Sequence, residues 1–410
     1  MNDIVFGKDF FTQNRKRLRD LFVGKAPIII SANGLLQKNG TEVMGFSQDS
    51  NFWYLTGIDN PDIILVMDKQ KEYLIIPKYS EIHEFFDGKI SFDKLTEISG
   101  IETCYFEDEG WKILKSRLKK SKHIATLAPP PSYVKSLGMY TNPARKTLIR
   151  KVKHINPEIE LLDLRTHLAS MRVVKQDIEI AAIRNAIAIT INSMKPVMKQ
   201  TRLDKYEYEY EIEADLTRGF RKRGALGHGF DPIVGSGINS TVIHSTSNNS
   251  IIEKNLPVIL DVGARANNYV ADISRTVVPG KSSKRIRDVY QAVLSAQEYA
   301  ISMIKPGLIL ETYEKEMESF IGEKLRELGL IKIIDSTNVR HFFPHLVSHY
   351  LGIDVHDVGD YSRPLEKNMI ITCEPGIYIP DEKIGIRIED DILITEEGNE
   401  ILTRRLPRTM

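Results

Sequence analysis

The sequence predicts an α/β domain over residues 1–173 followed by an α+β domain over residues 174–410. Three observations predict this. Strand-like and helix-like stretches alternate through the first part of the chain, the pattern of layered α/β units. A helix start follows a seam near residue 173. From Asn255 onward the pattern runs strand, turn, strand, then a long helical stretch, then strands again, as in an antiparallel sheet with helices packed on it.

Each element has a local reason. Arg15–Leu21 is a charged helical stretch, and Ala26–Ser31, Ile63–Met67 and Tyr73–Ile76 are short β-rich runs. Ala128–Ser132 holds three consecutive prolines and reads as a loop. Thr166–Met171 reads as helix. Asp177 then serves as a helix N-cap, with Ile180, Ile183 and Ile187 following on one face. Between Asn255 and Val278, Ala266-Asn267-Asn268 marks the turn between two strands. Lys284–Leu330 is helical with a break at Pro306-Gly307. Met369–Thr403 is strand-like, interrupted at Pro375-Gly376, Pro380-Asp381 and Gly398-Asn399. No internal repeat or low-complexity segment is visible.

Bulk properties exclude several function classes. Lys+Arg 56 against Asp+Glu 55 leaves a net charge of +1, so no field gathers nucleic acid or an anionic membrane surface. Two cysteines, Cys104 and Cys373, rule out a disulfide framework and fit a reducing compartment. The N-terminus has no apolar core of a signal peptide, and runs such as Ile63–Met67 fall far short of the roughly 20 residues of a membrane helix. The expectation is a cytoplasmic protein.

The chemistry concentrates in the second domain. Asp261 ends an apolar run and Asp272 sits in the returning strand. If the loop is Ala266-Asn267 or Asn267-Asn268, the two carboxylates share a hairpin face, directly opposite or diagonal. Like charges so placed among Val, Ile and Leu call for a cation between them. In Ile386–Ile392, alternation puts Arg387, Glu389 and Asp391 on one face, where Arg387 can grip a neighbouring carboxylate. The same pattern also fits an exposed ion-pair ladder. Glu374 precedes Pro375, which ends a strand at a loop. Of ten histidines, His341, His345, His349 and His356 fall within sixteen positions, while His244 stands alone. His345 and His349 are four apart, but the His-Glu-x-x-His zinc motif is absent. A set of two Asp, two Glu and one His suits a pair of divalent ions, which share and acidify a water for attack on a carbonyl.

These residues resemble the ligand set of the pita-bread metallopeptidases, which include methionine aminopeptidase, aminopeptidase P and prolidase. The resemblance rests on Asp261, Asp272, His349, Glu374 and Glu389 in order, and on the strings Ile233–Gly237, Asp272–Thr276, His345–Gly352, Asp354–Gly359, Cys373–Tyr378 and Gly385–Asp390. It covers roughly residues 174–403. Phe46–Gly57, with Phe52-Trp53-Tyr54, resembles the leading domain of aminopeptidase P and prolidase, which methionine aminopeptidases lack. The resemblance implies a pita-bread fold preceded by a ribonuclease-H-like domain. It implies that Asp261 and Asp272 hold one metal, and that Asp272, His349, Glu374 and Glu389 complete a pair, with Asp272 and Glu389 bridging. His356 then contacts the scissile carbonyl, His244 lies by the substrate, and His345 helps form a proline pocket. Glu374 carries the proton from water to the leaving nitrogen, and Arg387 orients the carboxylates. The implied cofactors are two divalent ions, Mn²⁺ first, with Co²⁺ or Zn²⁺ alternatives. The implied partners are peptides with proline second and a second copy of the chain, as homodimer or homotetramer.

Three positions depart from the family pattern: Phe230 where Tyr is common, Ser47 where Arg is usual, and Phe86 where Trp is expected. They bear on the reach of the substrate cleft rather than on the metal chemistry. The leading expectation is cleavage of Xaa-Pro bonds at a free N-terminus, with a prolidase restricted to dipeptides as the nearest rival. Creatinase-type hydrolysis uses this fold without metal, and retention of five ligands argues against it. A ligand-free binding module of the same fold would have lost those residues.

Overall fold

The computed structural model describes residues 6–129, Val134 and 138–409. The chain divides into two compact units, one ending at Met171 and the other beginning at Arg172.

The first unit is built on a six-stranded mixed sheet. Its strands are β1 (Ile28–Ser31), β2 (Ile64–Met67), β3 (Glu72–Ile76), β4 (Cys104–Phe106), β5 (His123–Thr126) and β6 (Glu160–Asp163), in the order β4-β3-β2-β1-β5-β6. β1, β2 and β3 pair antiparallel, while β4, β5 and β6 join parallel. The parallel joins need crossover connections, which Phe92–Ser99 supplies between β3 and β4 and Ala144–Ile155 between β5 and β6, while Glu107–Leu118 links β4 to β5. Leu114, Leu118, Leu148 and Val152 from those helices close over Ile29, Val66, Ile75 and Ile124 of the sheet. The predicted helix at Arg15–Leu21 extends back to Lys8, and its Asn14 and Arg15 reach buried carbonyls of Tyr54 and Leu55. The predicted proline loop at Ala128–Ser132 falls partly outside the described residues.

The second unit opens with the helix Asp177–Val197. Its cap is Gln176, not Asp177 as the sequence suggested. Gln176 and Glu179 satisfy each other's backbone in a capping box, with the Gln176 N–H donating to Glu179 Oε2 at 2.9 Å. Asp177 is thereby displaced into the first turn, where its charge suits the positive helix end. Four antiparallel sheet pieces follow. The first holds β7 (Ile233–Ser236), β8 (Val258–Val262) and β11 (Ile273–Val277). Between β8 and β11 run the short β9 (Ala264–Ala266) and β10 (Tyr269–Val270). The later strands are β12 (Ile370–Cys373), β13 (Gly376–Ile379), β14 (Ile384–Arg387), β15 (Asp390–Ile394) and β16 (Asn399–Ile401); β12 pairs with β15, β15 with β16, and β13 with β14.

The helices Lys284–Met303 and Leu310–Glu327 cover the late strands. Val289, Val293, Ala300, Leu310, Met317 and Leu325 pack in one buried cluster with Ile371, Ile386, Ile388, Ile392 and Ile394. Burial of each such large aliphatic side chain contributes about 1.5–3 kcal/mol. The sequence suggested one continuous strand through Ile386–Ile392; instead β14 ends at Arg387 and β15 begins at Asp390. The interruption arises because Glu389 N–H donates to Ser274 O, at 3.1 Å, rather than within a late-strand ladder. No helix among the described residues is long and apolar enough to cross a membrane.

Candidate metal centre

The site begins at the β8–β11 hairpin. Its tip is Asn267-Asn268, with Ala266 paired to Tyr269. Both asparagines have positive φ, 53° and 63°, as a type I′ turn requires and as Asn tolerates. This turn selects one of the two registers left open by the sequence. Asp261 pairs with Ser274, so Asp272 is its diagonal neighbour on the same face. Gly263 lies between β8 and β9. A Cβ there would sit 1.6 Å from the Ala271 carbonyl oxygen, so only glycine lets the strands approach.

The second wall comes from β12 to β15. Arg387, Glu389 and Asp391 are buried at 2%, 1% and 0% exposure, which rules out an exposed ion-pair ladder. Arg387 Nη2 donates to Asp261 Oδ2 at 2.6 Å, its Nε to Ser274 Oγ at 2.9 Å, and its Nη1 to Tyr378 OH at 2.9 Å. Ser274 Oγ in turn donates to Glu389 Oε2 at 2.8 Å. One guanidinium thus fixes, directly or through one hydroxyl, a carboxylate from each wall. Asp391 accepts the Asp272 N–H at 3.3 Å, and burial raises its carboxyl well above the usual range.

The loop ahead of β12 supplies histidine. His349 Nε2 lies 3.4 Å from Asp272 Oδ2 and 3.2 Å from Glu374 Oε1. Its Nδ1 lies 3.0 Å from Tyr350 O, an acceptor, so Nδ1 carries the proton and Nε2 faces the carboxylates. Asp272, His349 and Glu389 each present a ligand atom within 4.8 Å of the others. His345 stands 3.8 Å from Glu374 Oε2 through Nδ1 and 2.7 Å from Tyr378 OH through Nε2. The His356 ring meets the His349 ring edge-on at 4.5 Å between centroids. His244 lies in an exposed loop and reaches the site through its charge interaction with His356. His341 stays on the exposed side of the helix Ser336–Phe342, away from this group.

Electrostatics describe a site short of positive charge. Burial, with Asp261 and Glu374 adding, lifts Asp272 to about 7, against the hydrogen bond from His349. Burial and the other carboxylates push Glu389 well above its ordinary value. Burial lowers His349, but Asp272 and Glu374 outweigh it and hold the ring protonated. Burial raises Glu374, but His349, His345 and Arg387 together outweigh it and hold the carboxyl below its ordinary value, so it stays ionised. Oδ1 of Asp261 is buried without a hydrogen-bond partner among the described residues. Hard carboxylate oxygens, one imidazole and an orphaned acceptor fit divalent cations, which would relieve each of these strains.

Sequence reasoning did not single out Tyr378, Ser274 or Thr372. Tyr378 bridges His345 to Arg387, and Thr372 Oγ1 accepts the His349 N–H at 3.1 Å. Tyr378 and Ser274 lie within the strings quoted above, and nothing local to Thr372 marks it. Of the departures, Phe230 packs its ring toward Gly263, and Ser47 and Phe86 are exposed.

The comparisons agree with this geometry. A profile of the metallopeptidase family M24 matches residues 181–396, and one of the aminopeptidase P N-terminal domain matches residues 11–125. The Xaa-Pro aminopeptidase of Haemophilus influenzae is 31% identical over 424 residues, covering 98% of this chain and 95% of that one. That of Escherichia coli is 30% identical over 421 residues, covering 97% and 94%. Among solved structures, aminopeptidase P from E. coli superposes with a TM-score of 0.85 at 29% identity, covering 99% of this chain and 97% of that one. Proline aminopeptidase P II from Yersinia pestis gives 0.85 at 28% identity, with 98% of each chain covered. Two profiles in tandem and relatives matched along nearly their whole length lead to one conclusion: this chain is a hydrolase of metallopeptidase family M24, with the pita-bread fold, an aminopeptidase P-type N-terminal domain and a site for divalent metal ions.

Proposed function

We propose that the protein removes the N-terminal residue from peptides whose second residue is proline, at a dinuclear site held by Asp261, Asp272, His349, Glu374 and Glu389. The observation that carries this reading is the buried cluster of those side chains, in which Asp261 Oδ1 has no hydrogen-bond partner among the described residues. In the reading, Asp272 and Glu389 stand with His349 among the residues that would hold the ions. Mn²⁺ is the expected metal, with Co²⁺ or Zn²⁺ also suited to such donors. Two bound divalent ions supply Lewis acidity, which polarises the scissile carbonyl and acidifies the attacking water.

The protein's own groups do the rest. Glu374, ionised and within reach of His349 and His345, takes a proton from the attacking water and returns it to the leaving imide nitrogen. His356 borders His349, and burial lowers its proton affinity, so a neutral ring donates to the carbonyl oxygen. His345 is likewise kept neutral by burial. Its ring contacts Phe343 and Tyr378 at centroid distances of 4.7 and 5.5 Å, an aromatic wall suited to a pyrrolidine ring. His244 borders the substrate, and Arg387 holds Asp261 in place.

The reading extends to a cytoplasmic homodimer or homotetramer. Cys104 and Cys373 are both free thiols, as a reducing compartment keeps them.

The test is hydrolysis of an Xaa-Pro dipeptide and an Xaa-Pro-Xaa tripeptide by metal-stripped protein restored with Mn²⁺, with Asp272→Ala as control. Cleavage of both, abolished in the variant, is expected. Cleavage of the dipeptide alone makes the protein a prolidase. Absence of metal-dependent cleavage of either overturns the reading.

A further inference from the structure

The loop that carries His356 is held from beneath by a four-charge cluster of Arg172, Lys175, Asp354 and Asp357. Asp357, 8% exposed, accepts from Arg172 Nη2 at 2.5 Å through Oδ1 and from Lys175 Nζ at 3.0 Å through Oδ2. Arg172 Nη2 also donates to Asp354 Oδ2 at 2.8 Å. Arg172 and Lys175 are buried at 2% and 1% exposure. Two cations and two carboxylates balance, with Arg172, Lys175 and Asp357 buried and the Asp354 side chain partly open to solvent. The cations sit just ahead of the helix Asp177–Val197; the carboxylates lie about 180 positions later, on either side of His356.

The backbone makes the clamp specific. The Asp357 N–H donates to Tyr350 O at 2.8 Å, the carbonyl that also faces His349 Nδ1 at 3.0 Å. Gly352 O accepts from Val270 N–H at 3.0 Å, tying the same loop to β10, two residues before Asp272. At Gly352 a Cβ would stand 2.0 Å from Asp357 Oδ2 and 3.2 Å from Lys175 Nζ, so the loop closes directly over the ion pairs. The fixed carboxylate of Asp357 therefore sets where the preceding residue, His356, stands against His349.

We propose that Arg172 and Lys175 are positioning residues of the reaction: through Asp357 they hold His356 at the scissile carbonyl. This rests on the role given to His356 above. The mechanism predicts coupling. Removing Arg172 matters only while His356 is there to be misplaced, and a displacement of about 1 Å in a catalytic group lowers turnover by about 10²-fold.

The experiment is a double-substitution cycle with Arg172→Met, His356→Ala and both together. It reads kcat and KM on an Xaa-Pro-Xaa tripeptide, bound Mn²⁺ and thermal midpoint. Arg172→Met is expected to lower kcat by about 10²-fold with KM and metal content near those of the unsubstituted protein. In the His356→Ala background the same change is expected to have little further effect, a strong departure from additivity. Arg172→Lys, which keeps the charge, should recover part of kcat. If Arg172→Met does not fold, Asp357→Asn takes its place, since it preserves shape while weakening both ion pairs. Equal losses in both backgrounds, or a loss that follows metal release, overturn the clamp while leaving the proposed function intact. Full activity in His356→Ala removes the role of His356, and with it the clamp.

Discussion

Arg387 is the residue on which the two walls of the site depend. Its three side-chain bonds reach Asp261, Ser274 and Tyr378, and through the last two they reach Glu389 and His345. Replacing it with Met removes the cation while leaving Asp261 buried, so the carboxylate loses its orientation and its counter-charge. Partners that orient ligands are worth about 10–100-fold in metal affinity. Arg387→Met should weaken Mn²⁺ binding by a factor in that range, read by calorimetric titration. Unchanged affinity would remove Arg387 from the ligand-orienting role. Alternation along Ile386–Ile392 already placed Arg387 and Glu389 on one face. It did not show that the gripped carboxylate is Asp261, 126 positions away.

At the scale of elements, the β8–β11 hairpin carries the site because its turn sets the register. Asn267-Asn268 at the tip makes Asp261 and Asp272 diagonal, while a turn one residue earlier would place them opposite. Asn268 holds φ at 63°, where a side chain other than Asn, Asp or Gly is strained by roughly 1–2 kcal/mol. Asn268→Ala should therefore destabilise the protein by about 1 kcal/mol in chemical denaturation, and Asn268→Gly should be neutral or stabilising. Equal stability of the two variants would mean that the turn does not depend on its positive φ. The turn was legible to within one residue because Ala266-Asn267-Asn268 between two apolar runs is a local signal; which pair forms its tip was not. The interruption between β14 and β15 was not, because the partner that draws Glu389 out of the ladder is Ser274, on a distant strand.

Across the molecule the acidic site couples metal, protons and stability. Asp272 titrates near 7 in the fold against 3.8 unfolded, and Glu389 and Asp391 are raised in the same direction. A carboxyl whose affinity for protons rises on folding favours the fold at low pH, and that advantage disappears as pH climbs through the folded value. His349, raised by Asp272 and Glu374 in spite of burial, loses its contribution in the same direction. Glu374, held low by His349, acts oppositely, but its loss falls below its ordinary 4.5. Metal-free protein should therefore melt at a lower temperature at about pH 8 than at about pH 5. The Mn²⁺-loaded protein should not follow, because cations replace the protons. Calorimetry with and without chelator checks this, and a metal-free midpoint that rises with pH would contradict the charge balance described here.

Local pattern alone determined the kinds of elements, the hairpin turn to within one residue, the helix break at Pro306-Gly307 and the short roster of residues able to carry chemistry. Those signals live within a few residues: periodicity, turn chemistry, and charged groups set among apolar ones. Tertiary structure decided the rest. It buried Arg387, Glu389 and Asp391 where alternation also allowed an exposed ladder, and it left His341 outside while bringing His345, His349 and His356 together. It recruited Thr372, which no local pattern marks, and gave Tyr378 and Asp357, which lie within the quoted strings, partners that those strings do not name. The physical reason is distance along the chain. Side chains more than a hundred positions apart meet only once β8 and β11 pack beside β14 and β15, and no sequence window spans that contact.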